Sequence, residues 1–239
     1  MQLNDLSQYS TFKKKYLTLD RKPFFELAAD YITHDHKTIL DIGSGEGEFF
    51  VYLRERGIDT GQVYLLDANP ATVAKNHRLT SRSVVYLVPD RLPFEDGAVD
   101  VIHLSHLLDN LETKDLYQFL LEINRVLRPG GVLVISTPVL WGNFYDDLSH
   151  TRPYNPYVFY KYFVRQGPHN RFDKIQGQYS IQNLVYRYYE LPLDEGWSST
   201  TPFVDSFFLT ARRVLRRLGI KRVQKNGYTL VLKKESEGA

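Results

Sequence analysis

Two hydrophobic periods alternate along this chain. Short apolar runs such as Thr38–Ile42, Val63–Leu66 and Val99–Leu104 read as strands, and each ends in polar or glycine positions. Between them the apolar positions recur at three- and four-residue steps. Lys22–Ile32 predicts an amphipathic helix with Phe24, Phe25, Leu27, Ala28, Tyr31 and Ile32 mostly on one face. Phe49–Arg56 predicts a second helix stopped by Gly57, and Asn69-Pro70 suits the cap and first position of a third. The clearest helix runs from about Lys114 to Leu127, where Leu116, Phe119, Leu120, Ile123, Val126 and Leu127 recur, before Pro129-Gly130-Gly131. Tyr179–Tyr189 and Tyr228–Leu232 read as the last two strands. Strands alternating with helices predict an α/β fold: a mainly parallel sheet with helices on both faces and ligands at the carboxyl ends of the strands.

The most informative break is in TILDIGSGEGEFF, Thr38–Phe50, where a strand closes on Asp41 and a G-x-G-x-G turn of Gly43, Gly45 and Gly47 leads into a helix. Glycines there permit left-handed backbone and close ligand approach. The third glycine of a dinucleotide fingerprint would fall on Glu48, and Glu46 and Glu48 already offset the helix dipole. The turn therefore suits a ligand with a positive centre better than a pyrophosphate. One strand-helix-strand unit later, Asp67 closes the second strand, where an acid can hold the two hydroxyls of a ribose.

Asp41, the glycine turn and Asp67 resemble the nucleoside-binding motifs of class I S-adenosylmethionine-dependent methyltransferases. The resemblance continues through Asp90 in YLVPDRLPFEDG, through VDVIHLSHLLDNL as the fourth strand and its loop, and through LRPGGVLVISTPV as the fifth strand. It spans Thr38–Pro138 and implies a Rossmann-like fold with a mainly parallel seven-stranded sheet, its final strand antiparallel, and an added C-terminal lid or insertion. It also implies S-adenosylmethionine as cofactor. Asp41, Gly43, Ser44 and Gly45 would meet its amino-acid part, Asp67 and Ala68 the ribose, and Asp90 and Arg91 the adenine. Ser105 would close the methyl-facing edge, with His106 on the substrate side. A single domain follows: a helical cover over 1–37, a cofactor core over 38–138, and a substrate-side region over 139–239.

That last region opens with VLWGNFYDDLSHTRPYNPYVFYKYF. Its D-x-S/T-H-x-R-P-Y/F pattern resembles a segment of family members associated with surface-polysaccharide and other sugar modification. His150 is the candidate general base and Asp147 its orienter, with Arg152 and Tyr154 as substrate contacts. The same Asp-His-Arg cluster also makes a staple that pins the loop over the pocket. His103 is expected to point into the sheet packing. The implied reaction is methyl transfer to a small molecule, first a saccharide hydroxyl, alternatively an amino sugar or other small amine. A non-catalytic S-adenosylmethionine-binding partner subunit is a further option.

Composition narrows this picture. The chain has 239 residues, is 43% hydrophobic and contains no cysteine, so thiolate metal sites are excluded; the histidines show no metal-ligand spacing. A formal net charge of +2 gives no global case for a nucleic-acid partner. No apolar run approaches the roughly 20 residues of a membrane span, and the N-terminus lacks an apolar signal core, so a cytoplasmic protein is expected. Phe207–Arg222 reads as an amphipathic helix with a basic side, suited to weak contact with a membrane surface if the saccharide is lipid-linked. The long stretch Leu191–Asn226, with Trp197 and Phe203, reads as a lid or an interface, and assembly into a homo-oligomer stays open.

Overall fold

The computed structural model describes residues 6, 12–165, 175, 177–191, 217 and 222–236. Seven strands form one sheet: β1 Ile39–Ile42, β2 Val63–Asp67, β3 Ser83–Val85, β4 Val99–Ser105, β5 Leu127–Pro138, β6 Tyr179–Leu191 and β7 Arg222–Lys234. Their order is β3-β2-β1-β4-β5-β7-β6. The neighbouring pairs from β3 to β5 are parallel, whereas β7 runs antiparallel to both β5 and β6. The α/β sheet expected from the pattern is therefore present, with its final strand inserted in reverse.

Every residue of β1 is buried, as is required of a strand covered on both faces. Alternate side chains feed two cores. On one face Leu40, Ile42, Ile102, Leu104, Leu133 and Ile135 pack with Phe119, Leu120 and Ile123 of α4 (Thr113–Val126) and Phe159 of α5 (Pro156–Phe159). On the other, Ile39, Val63, Leu65, Val101 and Val134 meet Phe25 of α1 (Lys22–Ala29) and Phe49, Phe50 and Leu53 of α2 (Glu48–Glu55). The helix α3 (Pro70–Asn76) starts where expected, because the Asn69 side chain accepts from the Ala71 N–H at 2.9 Å.

Several boundaries differ from the sequence reading. The helix α1 ends at Ala29 rather than Ile32. The backbone becomes extended at Leu127, so Pro129-Gly130-Gly131 lies inside β5 rather than in a turn before it. The strand β7 begins at Arg222, six residues before the expected Tyr228. Trp197, Phe203 and nearly all of the expected helix over Phe207–Arg222 lie outside the described residues. Strand order reverses between β1 and β4, which opens a crevice at their carboxyl ends, the usual ligand position in such sheets.

Candidate active site

The crevice is built on the glycine turn. Gly43, Gly45 and Gly47 have φ of +73°, +51° and +76°, which only glycine adopts readily. The Gly43 and Ser44 N–H groups donate to the Leu66 carbonyl at 2.8 and 3.0 Å. The Gly45 N–H donates to Asp67 Oδ2 at 2.9 Å, and Asp67 Oδ1 accepts from Asn69 at 2.9 Å. Asn76 Nδ2 donates to the Gly45 carbonyl at 2.8 Å. These turn donors are consumed internally, so the loop is no phosphate cradle. The carboxylate of Asp67 keeps spare lone pairs.

A cavity of about 170 Å³ opens over this turn, lined by Asp41, Gly43, Ser44, Gly45 and Ser105 together with Arg21, Phe25, Glu46, Glu48, Phe49 and His103. A β-carbon built on Gly45 would meet no atom of the described residues within 4 Å, so the space above it is open. Asp41 and His103 are register neighbours across β1 and β4, and His103 Nδ1 donates to Asp41 Oδ1 at 2.8 Å. The imidazole stacks on Phe49 with ring centroids 3.9 Å apart. His103 thus forms part of the crevice wall, more than the packing residue expected from its place in an apolar run. The parallel register between Asp41 and the middle of the fourth strand was the signal available.

Ala68, Asp90 and Arg91 are exposed in the loops after β2 and β3, at the same sheet edge but outside this cavity. Asp90 contributes its carbonyl, which accepts from the Tyr86 hydroxyl at 2.7 Å.

A second, narrow pocket of about 10 Å³ adjoins the first and shares Arg21, Phe25 and Ser105 with it. His106 lines it, at the uncommon φ of +53°, and its Nε2 accepts from Arg187 Nη1 at 3.1 Å. Burial and the adjacent Arg187 charge push the His106 imidazole down to about 3, so it stays neutral.

The expected Asp147–His150 pair is not formed. Asp147 is exposed and its Oδ1 accepts from the backbone N–H and hydroxyl of Ser149, both at 2.8 Å. The partner of His150 is Asp109 instead, a residue the sequence reading passed over. His150 Nδ1 donates to the Phe144 carbonyl at 2.6 Å, its ring stacks on Phe144, and Nε2 faces Asp109 Oδ2 at 3.1 Å. That approach is poorly aligned, leaving Oδ2 without a hydrogen bond among the described residues. Asp109 is fully buried, and burial pushes its carboxyl up. Its carbonyl accepts from Thr151 and Arg152 at 2.8 and 3.0 Å. Arg152 Nη1 donates to Thr113, and the buried Tyr154 hydroxyl donates to the Leu111 carbonyl. Arg152 and Tyr154 line a separate groove along α4, away from His106. The motif after β5 is a staple holding its loop to the β4–α4 connection.

Residues 40–135 match a family model described as a methyltransferase domain. The chain is also similar to the ubiquinone/menaquinone biosynthesis C-methyltransferase UbiE of Cupriavidus metallidurans, with 32% identity over 120 residues, 46% of this chain and 49% of the relative. The chain spans about half the length of the curated relatives it matches. Its fold follows a methyltransferase from Archaeoglobus fulgidus with a TM-score of 0.57 at 18% identity, covering 89% of this chain and 92% of the other. A geranyl diphosphate methyltransferase solved in complex with S-adenosylmethionine aligns with a TM-score of 0.55 at 17% identity, covering 90% and 85%. The crevice suits S-adenosylmethionine in its charge: Asp41, Glu46 and Glu48 line the space over the glycine turn, and the Gly43, Ser44 and Gly45 N–H groups are occupied within the protein.

Proposed function

We propose that the whole chain transfers the methyl group of S-adenosylmethionine to a small-molecule acceptor that arrives with its nucleophile ready, as an anion or a free lone pair. The observation that carries this reading is the junction of the acidic crevice with the pocket of His106, through Arg21, Phe25 and Ser105. When bound, the cofactor supplies an electrophilic methyl carbon on a sulfonium that departs as a neutral thioether. Asp41, Glu46 and Glu48 balance its positive charges, Asp67 holds the ribose, and Asp90 and Arg91 flank the adenine. Phe25 and Phe49 keep water from the approach, which leaves alignment as the main contribution of the protein.

The positions of the two candidate histidines support this choice of acceptor. His150 lines neither of the two adjoining pockets, its Nδ1 donating to the Phe144 carbonyl and its Nε2 turned toward the buried Asp109, and His106 spends Nε2 on Arg187. A saccharide hydroxyl, the first expectation, needs a proton acceptor that neither histidine offers in this arrangement, whereas an amine or an ionised oxygen or carbon acid does not. His150 acts in this reading as a positioning residue for the loop. The test is a screen of sugars, amines and carbon or oxygen acids for S-adenosylhomocysteine release. Release with an acid or an amine supports the proposal. Turnover confined to sugar hydroxyls would reject the acceptor class, and cofactor binding without any turnover would favour a partner subunit.

A further inference from the structure

Two arginines line the narrow pocket beside the cofactor crevice: Arg21 pairs with Glu48 at 3.2 Å, whereas Arg187 has no carboxylate partner among the described residues. Arg187 projects from β6 and is half-buried. Its Nε donates to Asn226 Oδ1 at 3.0 Å, Nη1 to His106 Nε2 at 3.1 Å, and Nη2 to the Asn226 carbonyl at 3.4 Å. A guanidinium has five N–H groups, so one on each terminal nitrogen is left without an acceptor among the described residues. No carboxylate forms an ion pair with it there. The acid that acts on it electrostatically, Asp109, is held toward its neutral form by burial. Burial and the nearby Arg21 charge lower the pKa of Arg187 itself to about 10, a sign that its charge is poorly compensated.

Three further features show that this environment is built. Gly227 faces Arg187 in the β6–β7 register, and a β-carbon there would lie 2.9 Å from Nη2 and 3.1 Å from Cζ, so the guanidinium rests on bare backbone. The residue after it in the bond network, Asn226, is 1% exposed and its Nδ2 has no partner among the described residues. His106, accepting through Nε2, is fixed as the tautomer that carries its proton on Nδ1, a neutral donor. No acidic side chain among the described residues lines this pocket, while Asp41, Glu46 and Glu48 line the adjoining crevice. The acids thus lie on the crevice side and Arg187 on the other, with Arg21 shared at the junction.

We propose that the acceptor is an oxyacid, a small carboxylate or phosphate monoester whose charged oxygen docks on Arg187 with Arg21 at the mouth. The inference rests on the methyl-transfer reading above and names the substrate class for that site. The pocket's volume, close to that of one water site, suits a terminal oxygen rather than the body of a ligand.

The test titrates the protein, saturated with S-adenosylhomocysteine, with acetate, methyl phosphate and neutral acetamide, read from protein NMR shifts. The two anions bind and acetamide does not, and the tighter of the two names the oxyacid. Arg187→Gln weakens the anion by roughly tenfold or more, the scale of a lost charge-assisted hydrogen bond, while Arg187→Lys retains part of it. Gly227→Ala keeps the arginine but displaces it, and loses affinity in parallel. All three variants keep the affinity of the wild type for S-adenosylhomocysteine. Equal binding of acetamide, or anion binding unchanged in both Arg187→Gln and Gly227→Ala, overturns the proposal. Anion binding with no S-adenosylhomocysteine binding would instead reject the methyltransferase reading and leave the oxyanion site standing.

Discussion

Asp67 shows how one side chain joins fold and function, since its two oxygens tie the glycine turn to the start of α3. Asp67→Ala should weaken S-adenosylhomocysteine binding by about 1.5–3 kcal/mol, the range for hydrogen bonds to a charged group. Calorimetry checks this, and unchanged affinity would remove Asp67 from the ribose site. His106 makes a prediction in pH. Its folded pKa, near 3, lies below the ordinary 6.5. The unfolded chain therefore binds a proton that the native state refuses, and stability falls as pH drops from about 6.5 toward about 3. His106→Gln should flatten that limb of the urea midpoint against pH, and an unchanged slope would show the imidazole to be less confined. Asp109 has the opposite sign. Its raised folded pKa gives stability that is complete below the ordinary carboxylate range and lost as pH rises through the folded value. Asp109→Asn should remove that loss while keeping an acceptor for Thr137, which donates to Oδ1 at 3.2 Å.

At the scale of elements, the start of α2 depends on Gly47. A β-carbon there would lie 2.7 Å from Leu79 Cδ1 at a φ of +76°. Gly47→Ala should cost roughly 1–3 kcal/mol, the scale of strained backbone, measured by denaturant unfolding; a loss within error would mean that the turn relaxes easily. The same turn was legible in the sequence because glycine spacing and a terminal acid are local signals. So were β1, β4 and the stripe of α4. The beginning of β7 was not. The segment Arg222–Lys225 is mostly polar and pairs with β6, since β5 joins β7 from Gly227 onward. That projecting ribbon has no buried face to write a hydrophobic period. The motif after β5 was visible, but its geometry came from tertiary partners: Asp109, Phe144 and Thr113 decide what His150 and Arg152 do. Arg187 and His103 were hidden for the same reason, each defined by a residue on another strand.

For the whole molecule, the reversal of strand order sets the acidic crevice and the pocket of His106 and Arg187 side by side on one sheet edge, where the proposal puts donor and acceptor. The fold could be read from ordered motifs, whereas the acceptor chemistry lay in contacts between residues far apart in sequence. No helix among the described residues is long and apolar enough to cross a membrane. Cofactor binding to the native crevice should raise global stability by roughly 2.7 kcal/mol at a hundredfold excess over Kd, seen as a higher Tm with S-adenosylhomocysteine and a smaller rise in Asp67→Ala. An equal rise in both would move the ligand elsewhere. Calorimetric titration of the folded chain with S-adenosylmethionine and S-adenosylhomocysteine tests the central claim most directly. The expected result is saturable one-site binding of each, mutually competitive and weakened by Asp67→Ala; the absence of heat with both ligands would contradict it.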